Sequence, residues 1–149
     1  MDNLQIAPII IGKLLNIGAM LQRNANKLLL PFNLNQQQFS IFFEIAKAGK
    51  LNQKEMVNRL LLERAHVSKV VKKLEKMELI IIAPSNEDKR SSWLSTTPKG
   101  EQLLHNIMEI IEKWNKEWIA AYDQKQLQSM LDNLTLLQTL FKNKIFGIK

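Results

Sequence analysis

The sequence predicts a mainly α-helical protein with a small β wing of two or three strands. Three observations lead to this fold class. Apolar residues recur at helical spacing in long segments at both ends of the chain, at about residues 6–30 and 98–145. Between them, only two or three residues separate two short helical segments, and a hairpin pattern follows. We expect one domain over residues 1–149, with a winged helix-turn-helix core at about residues 33–97 between long terminal helices.

The bulk composition is that of an ordinary globular chain. Of its 149 residues, 46% are hydrophobic and 23% are charged. The chain has no cysteine, which excludes disulfides, thiolate metal sites and thiol-based redox sensing. This composition fits a cytoplasmic protein.

The N-terminal apolar run is not expected to enter a membrane. Ile9, Ile10 and Ile11 are followed by Lys13 and Asn16, which interrupt the run, and no basic leader region precedes it. We interpret the segment as too short and too broken for a membrane span. The expected protein is soluble and unsecreted, with no membrane partner.

Positive charge is concentrated in the middle third of the chain. The formal net charge is +7, and residues 50–100 carry eleven Lys or Arg against six Asp or Glu, whereas residues 101–149 are neutral. A local excess of this kind indicates a surface that binds anions. Charge alone leaves open the alternative of a generic solvated basic face.

Proline and capping signals delimit the first two helices. Apolar residues at helical spacing run from Pro8, which suits a first helical turn, to Leu30, and Pro31 marks the end. Asn35 and Gln38 form a capping-box pattern for the second helix, which Gly49 ends. The predicted core stripe of this second helix is Phe39, Phe42, Phe43 and Ala46.

The next two helices are close enough in sequence to form a helix-turn-helix. One begins at Asn52, with Glu55 three residues on, and the other runs from about Glu63 to Met77. The inner arc of this fourth helix carries Val67, Val70, Val71, Leu74 and Met77. The opposite arc carries Ala65, Ser68, Lys69, Lys72, Lys73 and Lys76. Small side chains can approach base edges and lysines can reach phosphates, so this arc favours DNA binding over a plain surface helix.

The β-hairpin pattern directly after the basic helix indicates a wing. The predicted strands at residues 79–83 and 92–95 flank a turn-rich loop with charges at its tip. Lys89 and Arg90 could enter a minor groove, where the negative potential attracts arginine. Asp88 either orients Arg90 or is an exposed carboxylate without a role.

The C-terminal third predicts two long amphipathic helices. Thr97 and Pro98 supply an N-cap and a first helical residue, and Asp123 with Gln126 caps the last helix. A helix roughly 36 Å long, at 1.5 Å per residue, has more apolar surface than a small wing domain can cover. We expect a homodimer, in which a partner subunit covers these stripes. Intramolecular packing of three helices is the alternative.

Four short motifs, in the correct order and spacing, carry a resemblance to a known family. Residues 35–39 are similar to the start of that family's second helix, residues 51–56 to its l-t-q-k-e-l segment, and residues 65–76 to its recognition helix. Asp88 and Arg90, followed by Thr97 and Gly100, resemble its D-x-R wing motif and T-x-x-G helix start. The family is the MarR family of bacterial transcriptional regulators, and the resemblance covers essentially the whole chain.

The resemblance implies a winged-helix homodimer on a pseudopalindromic operator, usually a repressor and often released by a small ligand. It implies that residues of the recognition helix read the major groove and that Arg90, held by Asp88, enters the minor groove. The predicted DNA-binding residues are Asn52, Gln53, Arg64, Ala65, His66, Ser68, Lys69, Lys72, Lys73, Asp88, Lys89 and Arg90.

Two residues depart from the family pattern. Glu78 stands where the family usually has the glycine that ends the recognition helix. If its backbone is left-handed, a non-glycine residue there costs about 1 kcal/mol or more. Thr96 replaces the usual leucine at the end of the return strand, which we expect to loosen the root of the wing.

The sequence gives no sign of an enzyme. Its two histidines, His66 and His105, lie far apart, and no nucleophile–base pair, metal-spaced cluster or phosphate-binding glycine loop is visible. We therefore predict no catalytic residue, cofactor or metal. His66 is interpreted as a base or phosphate contact, or as a solvated side chain. The competing function is a winged-helix protein-interaction adaptor that does not bind DNA.

Control by a small molecule is the least determined feature. A lipophilic or aromatic acid is the effector class that the residues allow, and the absence of any effector is equally compatible with them. Trp114, Trp118, Phe39 and Met20 either line a cleft for such a molecule or pack in the core.

Overall fold

The fold is mainly α-helical, with one small antiparallel sheet, in agreement with the predicted class. A computed structural model describes residues 1–86 and 92–147. The elements in chain order are α1 (Asn3–Leu29), a 3-10 helix (Leu30–Phe32), α2 (Gln36–Ala48), β1 (Leu51–Asn52), α3 (Gln53–Leu60), α4 (Arg64–Lys76), β2 (Ile80–Pro84), β3 (Ser92–Thr96), α5 (Pro98–Ile119) and α6 (Gln124–Phe146).

The chain divides into two compact units, Met1–Ile107 and Met108–Lys149. The boundary falls inside α5, so the first unit holds every element from α1 to β3 and the start of α5. The expected single domain over the whole chain stays a prediction.

The first helix begins earlier than its proline suggested. The side chain of Asp2 accepts a hydrogen bond from the Gln5 amide at 2.9 Å, and Gln5 Oε1 accepts from the Asp2 amide at 2.9 Å. This capping box satisfies the terminal donors and starts α1 at Asn3. Pro8 therefore lies inside the helix, and its predicted place in the first turn is wrong. The expected stop is confirmed, because α1 ends at Leu29 and Pro31 falls in the 3-10 helix.

Residues Asn3–Phe32 form a continuous helical segment of 30 residues, with a mean hydropathy of 1.7 in its most apolar window. By length and composition this segment could cross a membrane, which the sequence argument excluded because Lys13 and Asn16 interrupt the apolar run. Neither residue breaks the helix. Length and composition do not distinguish a membrane span from a helix that another protein chain covers.

The core of the first unit lies between α2, α4 and the sheet. On α4, Val67, Val70, Val71 and Leu74 are buried, as predicted, whereas Met77, the last residue of the predicted arc, is half-buried. On α2 the prediction was partly wrong. Ile41, Phe42 and Ile45 are fully buried, whereas Phe39, Phe43 and Ala46 are only half-buried. Because α2 is apolar over a wide arc, periodicity alone does not select which side faces inward.

The sheet has three antiparallel strands in the order β1-β3-β2. Ile82 and Leu51 pair with opposite sides of Leu94, which is fully buried at the centre of the sheet. Strand β1 precedes α3 directly and includes Asn52, for which the sequence predicts only a helix start. Strand β1, which pairs with β3, joins the wing to the helix-turn-helix.

The second unit consists of the end of α5 and α6. Trp114, Trp118 and Tyr122 form a ladder of neighbouring rings, with centroids 6.4 and 6.3 Å apart. The predicted capping box of Asp123 and Gln126 starts α6. No residue of α6 is buried in the single chain.

Candidate nucleic-acid interface

A tight turn presents α4 to the outside of the first unit. Only residues 61–63 separate α3 from α4, and Leu61, at φ 53°, has a left-handed backbone. A left-handed residue reverses the chain sharply after α3, although in leucine it costs about 1 kcal/mol. Glu63 then starts α4 without a side-chain cap, so its first amides remain available to an outside acceptor.

The exposed face of α4 is small at its start and basic further along. Ala65 is exposed one residue inside the helix, next to Arg64, which is also exposed. Lys69, Lys72 and Lys76 follow on the same side, all exposed, while Ser68 is half-exposed. This combination suits a helix that approaches base edges with its first turns and phosphates with its later ones.

Two predicted contacts on α4 lie on the flank of the helix instead. His66 is half-buried, and its Nε2 atom is buried without a hydrogen-bond partner among the described residues. Its predicted alternative role as a solvated side chain does not fit this burial. Lys73 is also half-buried, and its ammonium group donates to the Asn33 carbonyl at 2.7 Å and to Gln38 Oε1 at 2.9 Å.

The end of α4 is closed by a left-handed residue, Glu78, so the altered turn that a non-glycine residue suggested is not seen. Glu78 has φ 62°, its amide donates to the Glu75 carbonyl at 2.8 Å, and the Leu79 amide donates to the Leu74 carbonyl at 3.0 Å. These are the two hydrogen bonds of a Schellman motif. Glutamate therefore preserves the turn at the steric cost of a side chain in the left-handed region.

The T-x-x-G segment joins this turn to α5. The Thr97 hydroxyl donates to the Glu78 carbonyl at 2.6 Å and accepts from the Gly100 amide at 3.0 Å. The Thr97 amide donates to the Leu79 carbonyl at 3.1 Å. A Cβ on Gly100 would lie 2.1 Å from that carbonyl oxygen, so only glycine fits. Lys99 adds an exposed ion pair with Glu78 at 3.0 Å.

The root of the wing is held on both sides. The Thr96 hydroxyl donates to the Glu101 carboxylate in the first turn of α5, and Thr96 pairs with Ile80 in the sheet. The expected loosening at Thr96 is thus offset by a new polar contact. Lys50 lies over the ring of Trp93, 4.7 Å from its centroid.

The remaining predicted contacts fall at the start of α3 and at the wing tip. Asn52 caps α3 by accepting from the Lys54 amide at 2.8 Å, and Gln53 is its first residue; both are half-exposed. Lys89 and Arg90, which are predicted to enter the minor groove, and Asp88, which is predicted to orient Arg90, lie outside the described residues.

A cleft of about 520 Å³ opens beside the end of α4. It is lined by Phe32, Met77, Leu79, Lys99, Gln102, Leu103 and Asn106, which makes it largely apolar with one cation at its edge. None of the four residues that the sequence suggested for an effector cleft lines it. Within residues 1–86 and 92–147, no group of three or more His, Cys, Asp or Glu could hold a metal ion.

The chain is similar to known transcriptional regulators in sequence and in structure. Residues 34–92 match the model of the MarR family. An uncharacterized HTH-type transcriptional regulator of Staphylococcus aureus is 28% identical over 118 residues, which are 79% of this chain and 80% of the relative. The HTH-type transcriptional regulator BilQ of Clostridioides difficile is 23% identical over 80% of this chain and 84% of its own length.

Solved structures share the fold. A MarR protein from Peptoclostridium difficile has a TM-score of 0.85 at 19% identity, over 94% of this chain and 92% of its own. Staphylococcus aureus MarR, in complex with salicylate and kanamycin, has a TM-score of 0.84 at 23% identity, over 92% of this chain and 93% of its own. The helix-turn-helix, the three-stranded sheet and the long terminal helices are thus features of a known architecture.

Proposed function

We propose that the chain is a transcriptional regulator of the MarR family, a homodimeric DNA-binding repressor without enzymatic activity, because residues 34–92 match the model of that family and similar proteins are HTH-type transcriptional regulators. In this proposal it acts in the cytoplasm on a pseudopalindromic operator. The observation that carries the proposal is the exposed face of α4, where Lys69, Lys72 and Lys76 follow the small residue Ala65.

Helix α4 is the recognition helix in this proposal. Arg64, Ala65 and Ser68 face base edges in the major groove, and Lys69 and Lys72 bind the flanking phosphates. Asn52 and Gln53, at the start of α3, contact the DNA backbone, where a helix N-terminus favours phosphate. Arg90 enters the minor groove with Lys89 beside it, held by Asp88, as the sequence resemblance implies.

Exposed apolar side chains in both units support the homodimer. In α1, Leu4, Leu15 and Met20 expose 86, 72 and 61% of their surface. In α6, Leu131 and Leu136 expose 58 and 61%. Burying one such side chain stabilises an interface by roughly 1.5–3 kcal/mol, so a partner that covers a few of them gains a large free energy.

Sedimentation velocity at micromolar concentration tests the dimer directly. A single species of twice the 17.3 kDa chain mass is expected. A monomer over this concentration range contradicts it. Flotation with phospholipid vesicles tests whether α1 instead enters a membrane. The dimer is expected in the fraction without vesicles.

Duplex binding and its salt dependence test the regulator. The full chain is used to select binding duplexes from a random library, and the DNA beside its own gene is tested against the selected sequence. With six to ten phosphate contacts, affinity should fall by about 10³–10⁵ between 50 and 200 mM salt. Failure to select any duplex, or binding that salt leaves unchanged, refutes the proposal and favours the adaptor.

The repressor assignment needs a separate measurement. A reporter gene behind the selected operator should be less active when the protein is produced, and it should recover when Lys69 and Lys72 are both changed to glutamine. Higher reporter activity with the wild-type protein would identify an activator instead.

We further propose that the cleft beside α4 accepts a small aromatic acid as effector. Phe32, Leu79 and Leu103 provide apolar walls, and Lys99, whose ammonium group is paired with the exposed Glu78 carboxylate, supplies a cation to the lining. The similar protein from S. aureus was solved with salicylate, which has this chemistry. Salicylate should bind the full chain, and Lys99→Gln should weaken the binding by about fivefold, the effect of an exposed charge pair.

The control for this effector experiment is Lys113→Gln, an exposed lysine of α5 that does not line the cleft. It should leave the salicylate affinity unchanged. Equal weakening by both variants would place the ligand elsewhere, and absence of binding to the wild type would remove salicylate as an effector.

A further inference from the structure

The lysines of α4 differ in their exposure to solvent. Lys72 is exposed and lies on the arc that Ala65 and Lys69 occupy. Lys73 is turned about 100° from Lys72 around the helix axis and is half-buried. His66, seven residues before Lys73, lies within about 20° of it and has a buried Nε2 atom. Burial at both positions shows that this flank of α4 is packed against the protein.

The ammonium group of Lys73 donates hydrogen bonds to acceptors that are distant in the sequence. Its hydrogen bonds to the Asn33 carbonyl and to Gln38 Oε1 measure 2.7 and 2.9 Å, across sequence separations of 40 and 35 residues. An ammonium group has three donors, so two of the three are used inside the protein.

Both acceptors belong to an elbow that joins α1 to α2, defined as residues 30–38 and including the first residues of α2. Asn33 is left-handed, with φ 57°, and its amide donates to the Leu30 carbonyl at 3.0 Å. Gln38 Oε1 is held by the Asn35 amide at 3.1 Å, and Asn35 Oδ1 accepts in turn from the Gln38 amide at 2.9 Å. Each acceptor residue is therefore also held by a hydrogen bond within the elbow.

We infer that Lys73 is a positioning residue, which fixes the angle of the recognition helix by joining it to the elbow between α1 and α2, and that it does not neutralise a DNA phosphate. The inference rests on the proposed function for its effect on DNA. It reassigns one of the predicted DNA contacts. It also links the proposed recognition helix to the segment that follows α1, a helix with many exposed apolar side chains.

The two roles predict different salt responses. Each phosphate contact that is lost reduces the slope of log affinity against log salt by about 0.9 and weakens binding to all duplexes alike. A lost positioning contact leaves that slope unchanged and weakens selected duplexes more than random ones, because base contacts depend on helix angle.

The experiment measures fluorescence anisotropy of the full chain with its selected duplex and with a random duplex, at several salt concentrations. Lys73→Gln should keep the wild-type slope and reduce the ratio of selected to random affinity by about tenfold. Lys73→Arg should restore that ratio. The matched control, Lys72→Gln, should lower the slope by about 0.9 and leave the ratio unchanged.

Gln38→Met tests the same contact from the other side. It should reproduce the effect of Lys73→Gln, whereas Asn35→Ala, which breaks the capping box but keeps Gln38 Oε1, should leave the ratio unchanged. If Lys73→Gln does not fold, this pair of variants decides the question. A fall in slope for Lys73→Gln equal to that of Lys72→Gln, or no effect on either slope or ratio, overturns the inference.

A double-mutant cycle of Lys73→Gln and Gln38→Met on the free energy of unfolding is independent of DNA. If the two substitutions change the free energy of unfolding additively, Lys73 and Gln38 do not interact and the inference is overturned. If the two substitutions are coupled but the protein binds no duplex, the contact between Lys73 and Gln38 is retained and the proposed function is refuted.

Discussion

Adding a single methyl group at Gly100 should separate the recognition helix from α5. A Cβ at this position would lie 2.1 Å from the Leu79 carbonyl oxygen, where ordinary contact begins at 3.4 Å, so the backbones must part by about 1.3 Å. Both atoms in the clash belong to rigid backbone or are fixed to it, and no rotamer change can relieve it. The Leu79 carbonyl also accepts from the Thr97 amide, and Thr97 holds Glu78, so the displacement weakens both hydrogen bonds.

The cost of Gly100→Ala follows from three contributions. Overpacking costs about 1–3 kcal/mol, and two weakened hydrogen bonds cost about 1 kcal/mol each. Alanine's higher helix propensity returns about 1 kcal/mol. The expected net loss is about 3 kcal/mol, which lowers the melting temperature of a chain of this length by about 6–12 °C.

Urea and thermal unfolding, followed by circular dichroism at one fixed protein concentration, measure the effect of Gly100→Ala. The concentration is fixed because dimerisation would contribute to the apparent stability. The control, Gln102→Ala, changes an exposed residue of the same helix and should stay within about 0.5 kcal/mol of the wild type. A loss below about 1 kcal/mol for Gly100→Ala would refute the close approach of Gly100 and Leu79.

Three further measurements test local features. At the left-handed position 78, Glu78→Gly should be more stable than Glu78→Val by about 1–2 kcal/mol, since a β-branched residue is worst in that region; equal unfolding free energies would rule out a left-handed backbone there. Asn35→Ala removes the α2 capping box and should cost about 1 kcal/mol in urea unfolding, whereas no loss would mean that the cap is not formed. In α5, a hydrogen bond and attraction from Lys116 lower the pKa of Glu112 below its ordinary 4.5. A lowered carboxyl pKa stabilises the fold above the unfolded value, and this contribution is lost as pH falls through the folded pKa. NMR titration should therefore show the Glu112 pKa rising in Lys116→Met, and an unchanged value would contradict the pair.

Local signals predicted the element boundaries well where a cap was present. Asn35 with Gln38, and Asp123 with Gln126, start their helices as expected, because a capping box involves only residues three apart. Asp2 and Gln5 have the same spacing and start α1, whereas Pro8 predicts a later start. The proline signal is weaker, because a helix tolerates the loss of one donor when its terminal donors are already satisfied.

Features that depend on distant residues could not be read from the sequence. The burial of Ile41 and Ile45 depends on which side of α2 meets α4, and periodicity gives a wide arc without choosing a side. Lys73 looks like its neighbour Lys72 in sequence, and only the elbow at Asn33 and Gln38 distinguishes them. Strand β1 is two residues long and exists because β3 lies beside it.

One residue serves two elements at the base of the wing. Asn52 pairs with Trp93 in the β1–β3 ladder, and its side chain caps α3 at the Lys54 amide. Local opening of the ladder at this point would therefore also release the first turn of α3. In native-state hydrogen exchange, the Lys54 amide should report the same opening free energy as the β1–β3 ladder. A shared opening free energy would show that β1 and the start of α3 open together, so that the sheet and the helix-turn-helix are coupled through Asn52.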